Sequence, residues 1–182
     1  MALLHTPEAE LGWKAGDFAL KGTDGKTYAL ADVKGARGLV VIFICNHCPY
    51  VKAIIDKIVR DMRDLKSLGV GSIAINANDP AEYPEDSFEN MKKLAAAKRF
   101  PFPYVMDETQ GTAKAYGAVC TPDFYGFDAN LALQYRGRLD DAGKESKPGS
   151  RRDLFEAMQS LAEAGKVPAK QLPSMGCSIK WR

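Results

Sequence analysis

The feature that most constrains the fold is an apolar run that leads into two cysteines and then into an amphipathic pattern. Residues 38–44 (GLVVIFI) contain no polar side chain, which is typical of a central strand covered on both faces. Apolar residues then recur at helical spacing over 51–65, and Pro49 suits the first turn of such a helix. Cys45 and Cys48 lie between the two patterns. The sequence therefore predicts a strand-to-helix junction that carries both cysteines.

The rest of the chain alternates between predicted strands and helices. They are a hairpin around Asp24–Gly25, a strand at 70–76, a helix at 87–98, a strand at 102–107, a helix at 109–116, two strands about a turn near 128–130, and a helix at 151–164. This order favours an α/β fold in which helices cover both faces of a mainly parallel sheet that ends in an antiparallel pair. We expect one domain over 1–182, with an N-terminal β-hairpin and an irregular C-terminal tail at 166–182.

Composition excludes several classes of function. The 182 residues are 46% hydrophobic with a net charge of +2, which fits a globular domain and gives no reason to expect a nucleic-acid partner. The N-terminus does not resemble a secretory signal, and no apolar run is long enough to span a bilayer. We therefore expect a cytoplasmic protein without a membrane partner. Its four cysteines are then better explained as thiols or catalytic groups than as a disulfide framework.

Cys48 is the predicted nucleophile because it directly precedes Pro49 and the helix. Unpaired N–H groups in a first helical turn, together with the helix dipole, favour a thiolate. A pKa lowered by about 2 units corresponds to ~2.7 kcal/mol, whereas the dipole contributes only ~0.3–1 kcal/mol. We therefore expect direct N–H contacts to the sulfur as well. His47 is expected to stabilise the thiolate less than the helix end does, because an exposed imidazole is mostly neutral at pH 7.

Cys45 lies at the end of the strand, away from any helix terminus, so its thiol is expected to be the less acidic of the two. A redox role and a role as a small buried apolar residue are equally good explanations of Cys45.

Several segments together resemble the thioredoxin superfamily, and specifically a peroxiredoxin-like redoxin of the alkyl hydroperoxide reductase/thiol-specific antioxidant type. The segments are LVVIFICNHCPYV, AINANDPAEYPEDS, DETQGTAKAYGAVCTPDFYGFD, LQYRGRLDD and GCSIKW. The resemblance implies a thioredoxin-like fold with a central mixed sheet. It also implies that Cys48 takes the position of the reactive cysteine, whereas Val51 stands where thioredoxins have their second cysteine and Cys45 stands where peroxiredoxins have a threonine.

The same resemblance assigns further residues. It implies a cis bond between Thr121 and Pro122, in a loop that faces the active cysteine and offers a backbone edge to a thiol substrate. Substrate contacts are expected at these two residues and at Asn46 and His47. Cys120 and Cys177 are candidate resolving thiols. A packing role is slightly favoured for Cys120, and for Cys177 a resolving role and an inert thiol remain open.

The leading hypothesis is a thiol-dependent oxidoreductase without a cofactor or a metal. Cys48, with Cys45 as the second catalytic cysteine, would attack a peroxide or a protein or small-molecule disulfide, and a thiol donor of the thioredoxin or glutathione type would regenerate it. One alternative is binding or delivery of copper or zinc through Cys45 and Cys48, aided by His47 and Cys120. The other alternative is a thioredoxin-like binding module without catalytic activity.

Overall fold

The fold forms around the apolar run of the strand-to-helix junction, which becomes a fully buried strand in a computed structural model that describes residues 2–182. The strands are β1 Leu3–His5, β2 Ala19–Gly22, β3 Thr27–Ala29, β4 Gly38–Phe43, β5 Val70–Asn76, β6 Tyr104–Met106, β7 Cys120–Thr121, β8 Asp123–Phe127, β9 Leu133–Arg136 and β10 Met175–Ser178. The helices are α1 Leu30–Val33, α2 Pro49–Ser67, α3 Phe88–Lys98, α4 Gly111–Tyr116 and α5 Asp153–Ala164. A 3₁₀ turn covers Pro84–Asp86.

Seven strands form the central sheet in the order β3-β2-β6-β5-β4-β8-β9. Only the β4–β5 and β5–β6 junctions are parallel. The N-terminal hairpin of β2 and β3 pairs with β6, and the hairpin of β8 and β9 pairs with β4. The pairings within each hairpin, and those of the hairpins with β6 and β4, are antiparallel. The predicted central mixed sheet and N-terminal hairpin are therefore confirmed. The expectation of a mainly parallel sheet is wrong, because antiparallel strands flank a parallel centre on both sides.

Helices cover both faces of this sheet, as predicted. The apolar sides of α2, α3 and α5 pack on one face, and those of α1 and α4 pack on the other. In α2, Ile58, Met62 and Leu65 have no exposed surface, and truncation of such a side chain to alanine costs about 2–5 kcal/mol. Among residues 2–182, no helix combines the length and the apolar character needed to span a bilayer.

The C-terminal segment is more ordered than the sequence predicts. Within the tail at 166–182, residues 175–178 form β10, which lies between β1 and β7 in a separate three-stranded sheet. The expectation of a wholly irregular tail is therefore wrong. Strands of two to four residues are too short to show an alternating pattern, so pairing between distant segments decides their structure. This small sheet places both ends of the chain beside the strand-to-helix junction.

Candidate active site

Cys48 caps the N-terminus of α2. Its backbone is extended, with φ −63° and ψ 123°, and Pro49 is the first helical residue. The Cys48 carbonyl accepts the first helical hydrogen bond, from the Lys52 N–H at 2.9 Å. The Cys48 side chain points toward β7, where its Sγ lies 3.3 Å from the Thr121 carbonyl oxygen. The junction thus holds the sulfur between a helix end and a strand edge.

Hydrogen bonds lower the pKa of the Cys48 thiol to about 4. The largest contribution is the hydrogen bond from the Cys45 thiol, and burial opposes it. The Cys177 thiol and the N–H groups of Val51 and Cys177 donate as well. The Val51 N–H belongs to the first turn of α2, which agrees with the sequence-based argument that direct contacts must add to the dipole. The site therefore favours the thiolate form of Cys48.

The other three thiols keep their protons. The pKa of Cys45 is well above its ordinary value, because its thiol donates to Cys48, is buried, and lies near the Asp86 carboxylate. Burial and the hydrogen bond to Cys48 raise the pKa of Cys177 to about 11. Burial, and to a lesser extent Asp123, raises the pKa of Cys120 to about 12. One ionised sulfur thus lies among protonated thiols, two of which, Cys45 and Cys177, donate hydrogen bonds to it.

Thr121 contacts both cysteines of the junction. Its hydroxyl lies 3.3 Å from Cys45 Sγ, and its carbonyl faces Cys48. The bond between Thr121 and Pro122 is cis. The structure therefore places Thr121, followed by a cis bond, opposite Cys48.

A buried carboxylate holds the loop between the two cysteines. Asp86 Oδ1 accepts hydrogen bonds from the backbone N–H groups of Asn46 at 2.7 Å and His47 at 3.1 Å. Asp86 Oδ2 is 2.5 Å from His47 Nδ1 and 2.8 Å from Asn78 Nδ2. The segment before residue 87 has only the composition of a loop, and no local spacing links residue 86 to residue 46. Burial of the carboxylate, visible only in the structure, identifies it.

His47 differs from the sequence-based expectation of an exposed imidazole. Its side chain is only 7% exposed, and its ring stacks on Tyr83 with the centroids 4.8 Å apart. Nδ1 bonds to Asp86, whereas Nε2 has no hydrogen-bond partner among residues 2–182. His47 therefore holds the loop through Nδ1, whereas its Nε2 makes no hydrogen bond within residues 2–182.

Asn46, predicted to contact substrate, also has structural partners. Its amide Nδ2 donates to the Glu85 carbonyl at 2.9 Å, and its Oδ1 accepts from the Tyr104 hydroxyl at 2.9 Å. Both ends of the side chain are thus occupied. The arrangement favours a role in holding the loop.

The site chemistry does not favour a metal centre. Cys45, His47 and Asp86 place potential ligand atoms within 4.8 Å of one another. However, Asp86 already accepts four hydrogen bonds, which fills the acceptor capacity of a carboxylate.

A cysteine that caps a helix beside a cis-proline, on a mixed sheet with helices on both faces, is the arrangement of the thioredoxin fold. The model of the AhpC/TSA family matches residues 11–136, which is more than half of the chain, so the protein belongs to that family. No curated protein matches the sequence.

Two structures of uncharacterised proteins are similar over almost the whole chain. A conserved protein from Geobacillus kaustophilus is 48% identical, with a TM-score of 0.95 and coverage of 100% of this chain and 97% of that one. A hypothetical protein from Sinorhizobium meliloti 1021 is 36% identical, with a TM-score of 0.91 and coverage of 98% of both chains. A thiol:disulfide interchange protein from Chlorobium tepidum shares the fold at 19% identity, with a TM-score of 0.62 and coverage of 86% and 99%.

Proposed function

We propose that the protein is a thiol–disulfide oxidoreductase in which Cys48 is the nucleophile. The observation that carries the proposal is the lowered pKa of Cys48, about 4, at a site where the neighbouring thiols stay protonated. A thiolate is the reactive form in disulfide exchange, and a thiol of low pKa is also a good leaving group. The residue therefore suits both formation and release of a mixed disulfide.

The reaction has two exchange steps. The Cys48 thiolate attacks one sulfur of a substrate disulfide, forms a mixed disulfide and releases the first substrate thiolate. A neighbouring thiol then gives its proton to the first released thiolate and attacks Cys48 Sγ, which releases the second substrate thiolate and leaves an intramolecular disulfide. We assign this second step to Cys45, which lies at the end of the central strand and donates a hydrogen bond to Cys48. An external dithiol returns both cysteines to the thiol form.

Disulfide exchange is favoured over peroxide reduction by the donors around Cys48. All four that lower its pKa are thiols or backbone N–H groups, and none is a cationic side chain. The Arg136 guanidinium is directed to Asp123 at 2.8 Å and to the Gly117 carbonyl at 2.9 Å. Cys45 offers a thiol where a hydroxyl would bind peroxide better. We therefore expect slow reduction of hydroperoxides.

Cys48→Ser tests the assignment. The variant should lose at least about 100-fold in the rate of dithiothreitol-dependent disulfide reduction, since a serine hydroxyl does not ionise at neutral pH. Activity is followed with bis(2-hydroxyethyl) disulfide and with insulin. Cys120→Ser is the matched control, because Cys120 stays protonated and does not donate to Cys48, and it should retain activity on whichever disulfide the protein reduces. Equal activity of Cys48→Ser and the unmodified protein would refute the proposal.

A further inference from the structure

The chain's own C-terminal strand occupies the strand edge beside Cys48. β10 pairs antiparallel with β7, with Cys177 opposite Thr121 and Ser178 opposite Cys120. The Thr121 carbonyl is also the group that faces Cys48 Sγ, and the thiol and the N–H of Cys177 help to lower the pKa of Cys48. β10 thus presents a cysteine to Cys48 in the position that a cysteine of an extended polypeptide substrate would need.

The fit of β10 at this edge is specific. A Cβ atom on Gly176 would lie 1.9 Å from the Thr121 carbonyl oxygen and 2.9 Å from Pro122 Cδ, so the close approach requires glycine. The Ser174 hydroxyl donates to the Pro122 carbonyl at 2.9 Å. On its other side β10 pairs with β1. Release of β10 therefore breaks backbone pairing along two edges.

An extended polypeptide and β10 cannot both use this edge. A peptide binds beside a strand by making the backbone hydrogen bonds of an added strand, and on β7 those groups already pair with β10. A polypeptide would have to displace the whole segment before its disulfide could meet Cys48.

A small molecule does not need the backbone groups of β7, so its binding does not compete with β10 for that edge. A cleft of about 410 Å³ lies next to the junction and is lined in part by Tyr50, Pro122 and Met175, and this volume falls within the range of small-molecule sites. Cys48 itself is fully buried, so some opening is required for any substrate. Met175 is 41% exposed, and its side chain can move without breaking backbone pairing.

We propose that Cys48 acts on low-molecular-weight disulfides and that β10 excludes extended polypeptides from the site. This inference rests on the proposed function. A small disulfide undergoes the two exchange steps described above: it accepts two electrons from Cys48 and Cys45, and leaves as two thiols.

The test compares two substrates and two valine variants. The unmodified protein should reduce bis(2-hydroxyethyl) disulfide with a kcat/KM at least about 100-fold higher than that for insulin. Gly176→Val should displace β10 and raise insulin reduction by about tenfold or more. Gly16→Val is the matched control, because its Cβ would meet only a ring carbon of Tyr116 at 3.9 Å, and it should behave as the unmodified protein. Amide hydrogen exchange at 176–178 reports directly whether β10 is released.

The possible outcomes distinguish failure of this inference from failure of the proposed function. If the unmodified protein reduces insulin within about tenfold of the small disulfide, the exclusion is refuted while the oxidoreductase activity stands. Released β10 amides without a gain in insulin reduction also refute it. If neither substrate is reduced, the proposed function fails and this inference fails with it. Should Gly176→Val not fold, the comparison of the two substrates on the unmodified protein decides alone.

Discussion

At the scale of single residues, the chemistry depends on how hydrogen bonds distribute one negative charge among adjacent sulfurs. Cys45 and Cys48 are close in sequence and equally buried, yet their pKa values move in opposite directions. Each stabilises the state of the other, because the Cys45 thiol donates and the Cys48 thiolate accepts. Cys48 is the one that ionises, because Cys177 and the Val51 N–H also donate to it, whereas Cys45 lies near the Asp86 carboxylate.

Cys45→Ala removes the largest contribution to the low pKa of Cys48. A hydrogen bond to a charged group contributes about 1.5–3 kcal/mol, which corresponds to about 1–2 pKa units. The pKa of Cys48 should therefore rise from about 4 by about that amount. The measurement is the pH dependence of thiolate ultraviolet absorbance, with the Cys48→Ser protein as the baseline.

Cys120→Ala is the control for this titration, because Cys120 does not donate to Cys48. Its titration midpoint should match that of the unmodified protein. A midpoint for Cys45→Ala that also matches would show that Cys45 does not stabilise the thiolate.

At the scale of secondary-structure elements, the site depends on contacts between segments that are distant in sequence. The Pro84–Asp86 turn holds the Cys45–Cys48 loop through one carboxylate, and the loop in turn positions the start of α2. The β4–α2 junction could be predicted because its apolar patterns are long and regular.

The contacts of Asp86 and of β10 could not be predicted from the sequence in the same way. Asp86 lies in a segment rich in proline and acidic residues, which indicates only a loop. β10 has four residues, MGCS, and its partners come from the N-terminus and from residues 120–121. Local pattern contains no information about such partners. The sequence therefore predicted Cys48 as the nucleophile but left the role of Cys177 open.

Asp86→Asn should destabilise the protein by about 2–3 kcal/mol. Its amide NH₂ would face donors that now bond to a carboxylate oxygen, and a buried donor without an acceptor costs about 1–3 kcal/mol. Urea unfolding of the reduced protein measures the change.

Glu85→Gln is the adjacent control for Asp86→Asn. The Glu85 side chain is 68% exposed and meets only an exposed lysine, at 3.4 Å, so the expected change is below about 0.5 kcal/mol. Equal losses in the two variants would mean that the hydrogen bonds to the Asp86 carboxylate do not hold the loop.

At the scale of the whole molecule, the lowered pKa of Cys48 couples the reactive thiolate to folding. The folded structure lowers this pKa from 9.0 to about 4, so folding is favoured whenever the residue is ionised. For a group with a depressed pKa, the stabilisation is complete above the unfolded value and is lost as the pH falls toward the folded value. The reduced protein should therefore gain stability from Cys48 as the pH rises from about 4 to about 9.

Comparison with Cys48→Ser isolates this contribution from all other titrating groups. The free energy of unfolding of the unmodified protein, minus that of the variant, should increase between about pH 5 and pH 7 by at most about 1.4 kcal/mol per pH unit. Urea unfolding under reducing conditions gives both values. Cys120→Ser should show no such trend, because the pKa of Cys120 rises to about 12 and its thiol stays protonated in both states throughout that range. A difference for Cys48→Ser that is independent of pH would show that the folded protein does not lower the pKa of Cys48.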